Sequence, residues 1–357
     1  MKAEQPPGRI DLAAEHVKKY LLAYTILAVL VAVAVGYVTR AGTSAHASLF
    51  SNLIIALAIL TIYPSMVQLK TESLARTFRS WKPIVISVGF VFVLSPLVAF
   101  LLAPSLGGAV GTGFFVSNVV PASSASLGYV LIAGGSLELA TALAVVSFGL
   151  AIPLVPLYLD LYGSQTATAV PTGPILTSVV LILVIPFVVG QLTRYGLLRW
   201  KGKDLVQRGI RAPLSLATMV SMLALVFVMV DREAAVMVAK PFLVGTLLGY
   251  QTLIIVSTLL VALAVSWALR FSYEDHQAVA FISVSKNQSV AAGIATLALT
   301  PAATLAPATI PMVQPILAIL YIGLEPRVRH FLRGKGSTLA PGGGAPAVRT
   351  PGPGSGG

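Results

Sequence analysis

The run Phe281-Ile282-Ser283-Val284-Ser285-Lys286-Asn287-Gln288-Ser289-Val290 decides how this chain folds. It lies inside an apolar stretch, 275–298, that is long enough to cross a bilayer. A hydrocarbon core about 30 Å thick takes roughly 20 residues of helix. A charged side chain near the middle of such a helix costs about 2.5–3.5 kcal/mol on insertion scales, so it marks a pathway or a binding site. Lys286 stands well inside the stretch, too central for easy snorkelling to the interface. Ser283, Ser285, Asn287, Gln288 and Ser289 crowd around it and make a polar centre.

The rest of the chain is the setting for that centre. Of 357 residues, 56% are apolar and only 10% charged, with a mean hydropathy of +0.89. A soluble domain carries about 25% charge, so the composition implies an all-α polytopic membrane protein. The net charge of +12 is spread between apolar runs and forms no single basic face, which argues against nucleic acid as a partner. No cysteine is present, which removes disulfides, thiolate nucleophiles and thiolate coordination of soft metals or metalloids. The charged N-terminus leads into a first apolar segment expected to be a retained span, not a cleaved signal.

Ten apolar segments are expected to span: 19–39, 47–69, 83–103, 111–134, 137–161, 173–193, 210–230, 243–269, 275–298 and 303–325. Alternating the loops between the two faces places 20 of the 24 basic residues on one side. Three, Arg40, Arg232 and Lys240, fall on the other, and Lys286 lies within the membrane. The positive-inside rule then puts both termini in the cytoplasm of a plasma-membrane protein. The most basic loop, Arg194 to Arg211, falls midway and leaves five spans on each side. An odd number per half forces opposite insertion, the arrangement of a 5+5 inverted repeat. The expected organisation is a cytoplasmic segment 1–18, a first repeat 19–161, an outer loop 162–172, a second repeat 173–326 and a disordered cytoplasmic tail 327–357.

Helices 4 and 9 hold equivalent places in the two halves, and both carry interruptions. The fourth has Ser117-Asn118, then Pro121-Ala122-Ser123-Ser124-Ala125-Ser126; the ninth has Ser283 through Ser289. Breaking a membrane helix exposes N–H groups at one half-helix start and carbonyls at the other half-helix end. Two broken, crossing helices can therefore hold charge at the midplane. The candidate substrate- or ion-binding residues are Asn118, Pro121, Ser123, Ser124, Ser126, Ser283, Ser285, Lys286, Asn287, Gln288 and Ser289. The ammonium of Lys286 would take the place of a bound cation among carbonyls of span 9. The twelve acids all fall at span ends or in loops, so Lys286 has no carboxylate partner and could gain and lose a proton during a cycle. Pro307, Pro311 and Pro315 recur every four residues in the last span, where each frees a backbone carbonyl. The bland alternative for the serines is bonding back to their own backbone, and His46 and His276 sit at loop edges with no catalytic role expected. Because no phosphate loop, zinc spacing or nucleophile with a base is present, no catalytic residue, metal site or cofactor is expected.

Several of these stretches resemble known transporters. Ile62-Tyr63-Pro64 through Lys82, and Ser285-Lys286-Asn287-Gln288-Ser289-Val290-Ala291-Ala292, resemble the arsenite efflux permease family. Val120-Pro121-Ala122-Ser123-Ser124-Ala125-Ser126, followed by Ala133-Gly134-Gly135-Ser136, resembles the broken fourth span of the bile acid:sodium symporter family. The two families share one fold, and the resemblance covers about residues 19–326. It implies a core domain and a panel domain, with substrate between them. The sodium symporters place serine at Ser126, asparagine at Leu127, glutamate at Ser283, and a glutamine–asparagine pair at Asn287 and Gln288, with a small apolar residue at Lys286. The arsenite permeases place a cysteine near Ala122 and a glutamate near Ser289. Those departures imply a sodium-independent, proton-coupled secondary transporter of a small anion or a neutral metalloid acid. The alternatives are an electrogenic anion uniporter or channel with Lys286 as fixed countercharge, and a non-transporting receptor.

Overall fold

The computed structural model describes residues 8–39, 46–71, 81–166, 171–202 and 209–333. Of the expected disordered tail 327–357, residues 327–333 are instead helical, within Glu325–Arg333; its remainder from Gly334, and the basic residues Lys2, Arg40, Arg76, Arg79, Lys203, Arg208, Lys335 and Arg349, lie outside the described residues. Every regular element among the described residues is helical. They run α1 (Arg9–Lys19), α2 (Leu21–Thr39), α3 (Ala47–Gln68), α4 (Trp81–Leu106), α5 (Gly108–Val119), α6 (Ala125–Ile132) and α7 (Leu137–Thr166). They continue with α8 (Gly173–Trp200), α9 (Arg211–Ala239), α10 (Pro241–Ala268), α11 (Tyr273–Val284), α12 (Gln288–Ala298), α13 (Pro301–Gly323) and α14 (Glu325–Arg333).

Eight of these, α2, α3, α4, α7, α8, α9, α10 and α13, are long and apolar enough to cross a membrane. Their outward faces carry leucine and valine where a soluble protein would carry charge, for example Leu30, Leu101, Leu192 and Leu260. Two expected spans are interrupted as the sequence suggested. The stretch 111–134 divides into α5 and α6 around residues 120–124, and 275–298 divides into α11 and α12 around 285–287. Each half-helix starts on a local signal. Ser272 caps α11, accepting from the Asp275 N–H at 3.0 Å, with Glu274 and Asp275 in the first turn; Asn287 caps α12, accepting from Val290 at 3.3 Å. Such caps satisfy donors that a helix start leaves open.

Packing sorts the helices around these breaks. α9 lies along α2 and α3, and α3 lies along α8; α10 packs on α11 and α13, and α4 on α5. α12 rests on α3 and α8, so the second broken stretch joins the two groups. Backbone approach is closest at two glycines. A Cβ on Gly36 would meet the Asp231 carbonyl oxygen of α9 at 2.1 Å, and one on Gly113 would meet the Ala303 oxygen of α13 at 2.0 Å.

Three further boundaries differ from the sequence reading. α7 continues to Thr166, so the loop expected from 162 is helical for its first turn. α9 runs nine residues past 230, and Arg232, counted in an outer loop, is buried beside Glu233 at 3.8 Å. Arg194, counted in the inner loop, is buried inside α8 with its guanidinium donating to the Val67 carbonyl at 3.1 Å. Arg194 stays helical because a carbonyl on α3 receives it; Arg232 lies beside its own helix neighbour Glu233, which accepts from the Thr304 hydroxyl of α13 at 2.8 Å.

Replacing Gly113 by alanine should force α5 away from the start of α13. Overpacking costs about 1–3 kcal/mol, so the detergent-purified variant should melt several degrees lower than wild type. Gly149→Ala, where an added Cβ meets nothing within 4 Å, should melt unchanged in the same assay.

Candidate functional site

The two breaks meet. Ala122 and Lys286 form an isolated antiparallel bridge. The Ser123 N–H donates to the Ser285 carbonyl at 2.7 Å, and the Asn287 N–H donates to the Pro121 carbonyl at 2.9 Å. Chain leaving α5 is thus laid against chain leaving α11, and the backbone groups freed by one break satisfy those freed by the other. Non-helical backbone in a membrane protein persists only where protein or a lined cavity supplies such partners. The remaining donor, the Ala122 N–H, goes to the Ser147 hydroxyl of α7 at 2.9 Å.

Lys286 is 1% exposed. Its Nζ donates to the Val91 carbonyl at 2.6 Å and lies 5.9 Å from the centre of the Phe92 ring. The sequence reading placed its acceptor on span 9; the carbonyl belongs instead to α4. The reason is local. Residues Phe90–Leu94 form a wide turn in which the Ser95 N–H closes onto the Phe90 carbonyl, five residues back. The next carbonyl in that pattern, Val91, faces Pro96, which has no N–H. Lys286 fills the vacancy, and the Tyr158 hydroxyl donates to the neighbouring Phe92 carbonyl. Full enclosure at this depth also excludes the snorkelling alternative.

The other candidates gather around this bridge with distinct partners. The Lys286 backbone N–H donates to the Gln314 side chain of α13 at 3.2 Å. Gln314 lies between Pro311 and Pro315 on α13, where it reaches the crossing. Gln288 donates to the Ser117 carbonyl at 3.2 Å, and Asn118 donates to Gln251 of α10 at 3.0 Å. Ser124 pairs with Ser65 of α3 at 3.0 Å, a direct link from the crossing to the other helix group. Ser283 lies a turn before the break and faces Ser87 at 3.4 Å. The bland reading holds for two serines: Ser126 bonds back to the Ser123 carbonyl, and the Ser123 hydroxyl accepts from Ala125 N–H at 3.2 Å. Pro121 contributes its carbonyl to the bridge, and Ser289 is buried in the first turn of α12.

Several polar atoms here are buried without a partner among the described residues: the hydroxyls of Ser117 and Ser285, Oε1 of Gln288 and Nε2 of Gln251. They offer both donors and acceptors and bring no carboxylate. A leftover buried polar atom costs about 1–3 kcal/mol, so the crossing carries unmet hydrogen-bonding capacity. His276, expected at a loop edge, is instead fully buried in α11 between Ser266 at 2.9 Å and Tyr321 at 2.7 Å. Ser147, Gln251, Gln314 and Tyr158 escaped the sequence reading because each sits in a predominantly apolar helix without a polar cluster like those at the two breaks. The Ser95-Pro96 pair was the available signal for the open carbonyl on α4.

With this geometry in place, the comparison with known proteins has a structural meaning. The sodium bile acid symporter family matches residues 54–241, more than half of the chain. The chain belongs to the sodium bile acid symporter family, and it is a multi-pass membrane transporter of that type. The matched segment contains the first break and ends before the second, so Lys286 lies outside it. No curated protein matches the chain.

Ser147→Ala should leave the buried Ala122 N–H without an acceptor. The expected loss is about 1–3 kcal/mol of stability, seen as a lower melting temperature. Ser147→Thr, which keeps the hydroxyl, should recover most of it.

Proposed function

We propose that this protein is a sodium-independent, proton-coupled secondary transporter of a small anion or a neutral metalloid acid. In this reading its ten spans form a 5+5 inverted repeat, 19–161 and 173–326, in the plasma membrane with both termini cytoplasmic. Substrate binds at the crossing, near Asn118, Pro121, Ser123, Ser124, Ser126, Ser283, Ser285, Asn287, Gln288 and Ser289. The observation that carries the proposal is the 2.6 Å bond from the Lys286 ammonium to the Val91 carbonyl. The Lys286 amino group stands at the crossing, where resemblance to the sodium symporters implies oxygen ligands for an ion. Ser283 stands where they have a glutamate and Leu127 where they have an asparagine.

The proposed cycle follows from the strength of that bond. A charge-assisted hydrogen bond is roughly twice as strong as a neutral one. Protonated Lys286 holds α4 to the crossing and attracts an anion or the oxygens of a polar acid. Loss of the proton to one side weakens the tie and removes the charge, which favours release and return. The Ser124–Ser65 contact links the crossing to α3, so a shift of one helix group against the other is felt at the binding residues.

Lys286→Met keeps most of the volume and removes the charge. The expected result is folded protein, judged by its size-exclusion profile, with greatly reduced transport and no remaining pH dependence. Lys286→Arg should not restore a proton cycle, because a guanidinium stays charged in a protein. Unchanged transport with an unchanged pH profile in Lys286→Met would refute the mechanism.

Sodium provides a separate check. Flux in proteoliposomes should be the same in sodium, potassium and choline buffers. Transport that disappears without sodium and returns with it would show that the crossing binds the ion despite Lys286.

A further inference from the structure

At one end of the molecule an apolar groove of about 380 Å³ opens between α10, α13 and the short helix α14. Leu260 and Leu263 form one wall, Leu317 and Leu320 the other, and Val328 and Phe331 of α14 cover the end. The size is within the roughly 300–1,000 Å³ range of small-molecule sites. Leu260 and Leu320 are each 61% exposed, so the groove is open along its length. Its depth in the bilayer follows from its elements. α10 and α13 are long enough to cross, and α14 begins two residues after α13 ends. The Trp267 and Phe331 rings lie 5.9 Å apart at the same end, as interfacial aromatics do.

One basic group stands at the groove mouth. Arg327 lines it, is exposed, and pairs with no acid among the described residues. Its neighbour Arg329 is engaged: it bonds Glu325 at 2.7 Å, approaches Glu274 at 3.5 Å and lies 3.6 Å over the Tyr273 ring. α14 is therefore fastened to the start of α11 by one arginine while the other is left at the rim. Arg270 adds positive charge at this end. Apolar walls below a free guanidinium at the interface match an acyl chain below a phosphate.

We propose that this groove is a binding site for an anionic phospholipid, with an acyl chain between α10 and α13 and the headgroup phosphate on Arg327. The site communicates with the crossing. Tyr321 lines the groove, and its hydroxyl is bonded to His276 of α11, the half-helix that ends at Val284, next to the crossing. A chain seated there braces α13 and α14 against α11. The site stands whether or not the transport reading is right, because its test measures lipid and not flux.

Purified protein in neutral detergent should gain thermal stability with added phosphatidylglycerol, saturably. It should gain less with phosphatidylcholine of the same chain length. Arg327→Glu should erase that difference, since one interfacial basic residue corresponds to about fivefold in affinity for an anionic lipid. Leu320→Trp, at an exposed position that tolerates bulk, should fill the groove and abolish the response to both lipids. Arg199→Glu, exposed on α8, should behave as wild type. Equal stabilisation by the two lipids, a preference that survives Arg327→Glu, or one lost equally in Arg199→Glu would overturn the site. A response that appears only after residues 334–357 are removed would assign the groove to the tail, and a dimer abolished by Leu320→Trp would assign it to a second copy. Either result also overturns the proposal.

Discussion

Two antiparallel backbone hydrogen bonds, Ser123 to Ser285 and Asn287 to Pro121, hold the rest of the site in place. They make broken helices tolerable. A chain that leaves helical geometry in a water-poor interior exposes donors and acceptors, each costing several kcal/mol if unmet. Here each break supplies what the other lacks. Once the backbones are locked, the side chains on either flank have fixed directions: Asn287 turns back to cap α12, Gln288 reaches the Ser117 carbonyl, and Lys286 projects to α4. The polar centre follows from the bridge, not the reverse.

Lys286 extends the same logic to a third helix. Desolvating an ammonium costs several kcal/mol even after relaxation, and no ion pair to Lys286 exists among the described residues. What compensates is a carbonyl that Pro96 has stripped of its usual donor, with the face of Phe92 nearby. Proline and lysine are complementary here: the ring creates the vacancy and the ammonium fills it. Shifting either alone would leave an orphan in the core.

The sequence made much of this visible, and the parts it hid share a cause. Pro121 with its serines, and the polar run at 283–289, interrupt apolar periodicity, so both breaks could be located without coordinates. Lys286 was conspicuous because charge is costly in a span. Its partner was not, since Pro96 signals only that a carbonyl on α4 is open, and nothing in the sequence joins that carbonyl to a lysine 195 residues away. Ser147 and Gln314 were hidden for a similar reason: polar residues scattered along a long apolar helix give no pattern until the fold brings one of them to the crossing. Charges misled in the opposite direction. Arg232 and Arg194 suggested loops, yet Arg194 finds the Val67 carbonyl across a helix interface, and Arg232 lies beside Glu233, which Thr304 of α13 bonds in turn. Sequence reveals an isolated charge readily; whether it is paired is decided by tertiary contacts.

Covalent attachment separates a lysine from a bound metal cation in one decisive respect. An ion held by oxygens at a crossing can leave with the substrate and be replaced from solution, and its gradient can drive the cycle. The Lys286 ammonium cannot leave. Only two of its properties can change during a cycle, its position and its proton. Position is tightly restricted, because the backbone on both sides of Lys286 is held by the bridge to residues 121–123 and by Gln314. The proton is the freer variable, and it also controls the strength of the tie to α4. On the proposed reading, in which a tethered ammonium stands in for an exchangeable cation, the cycle is therefore drawn toward proton coupling, or toward no coupling at all.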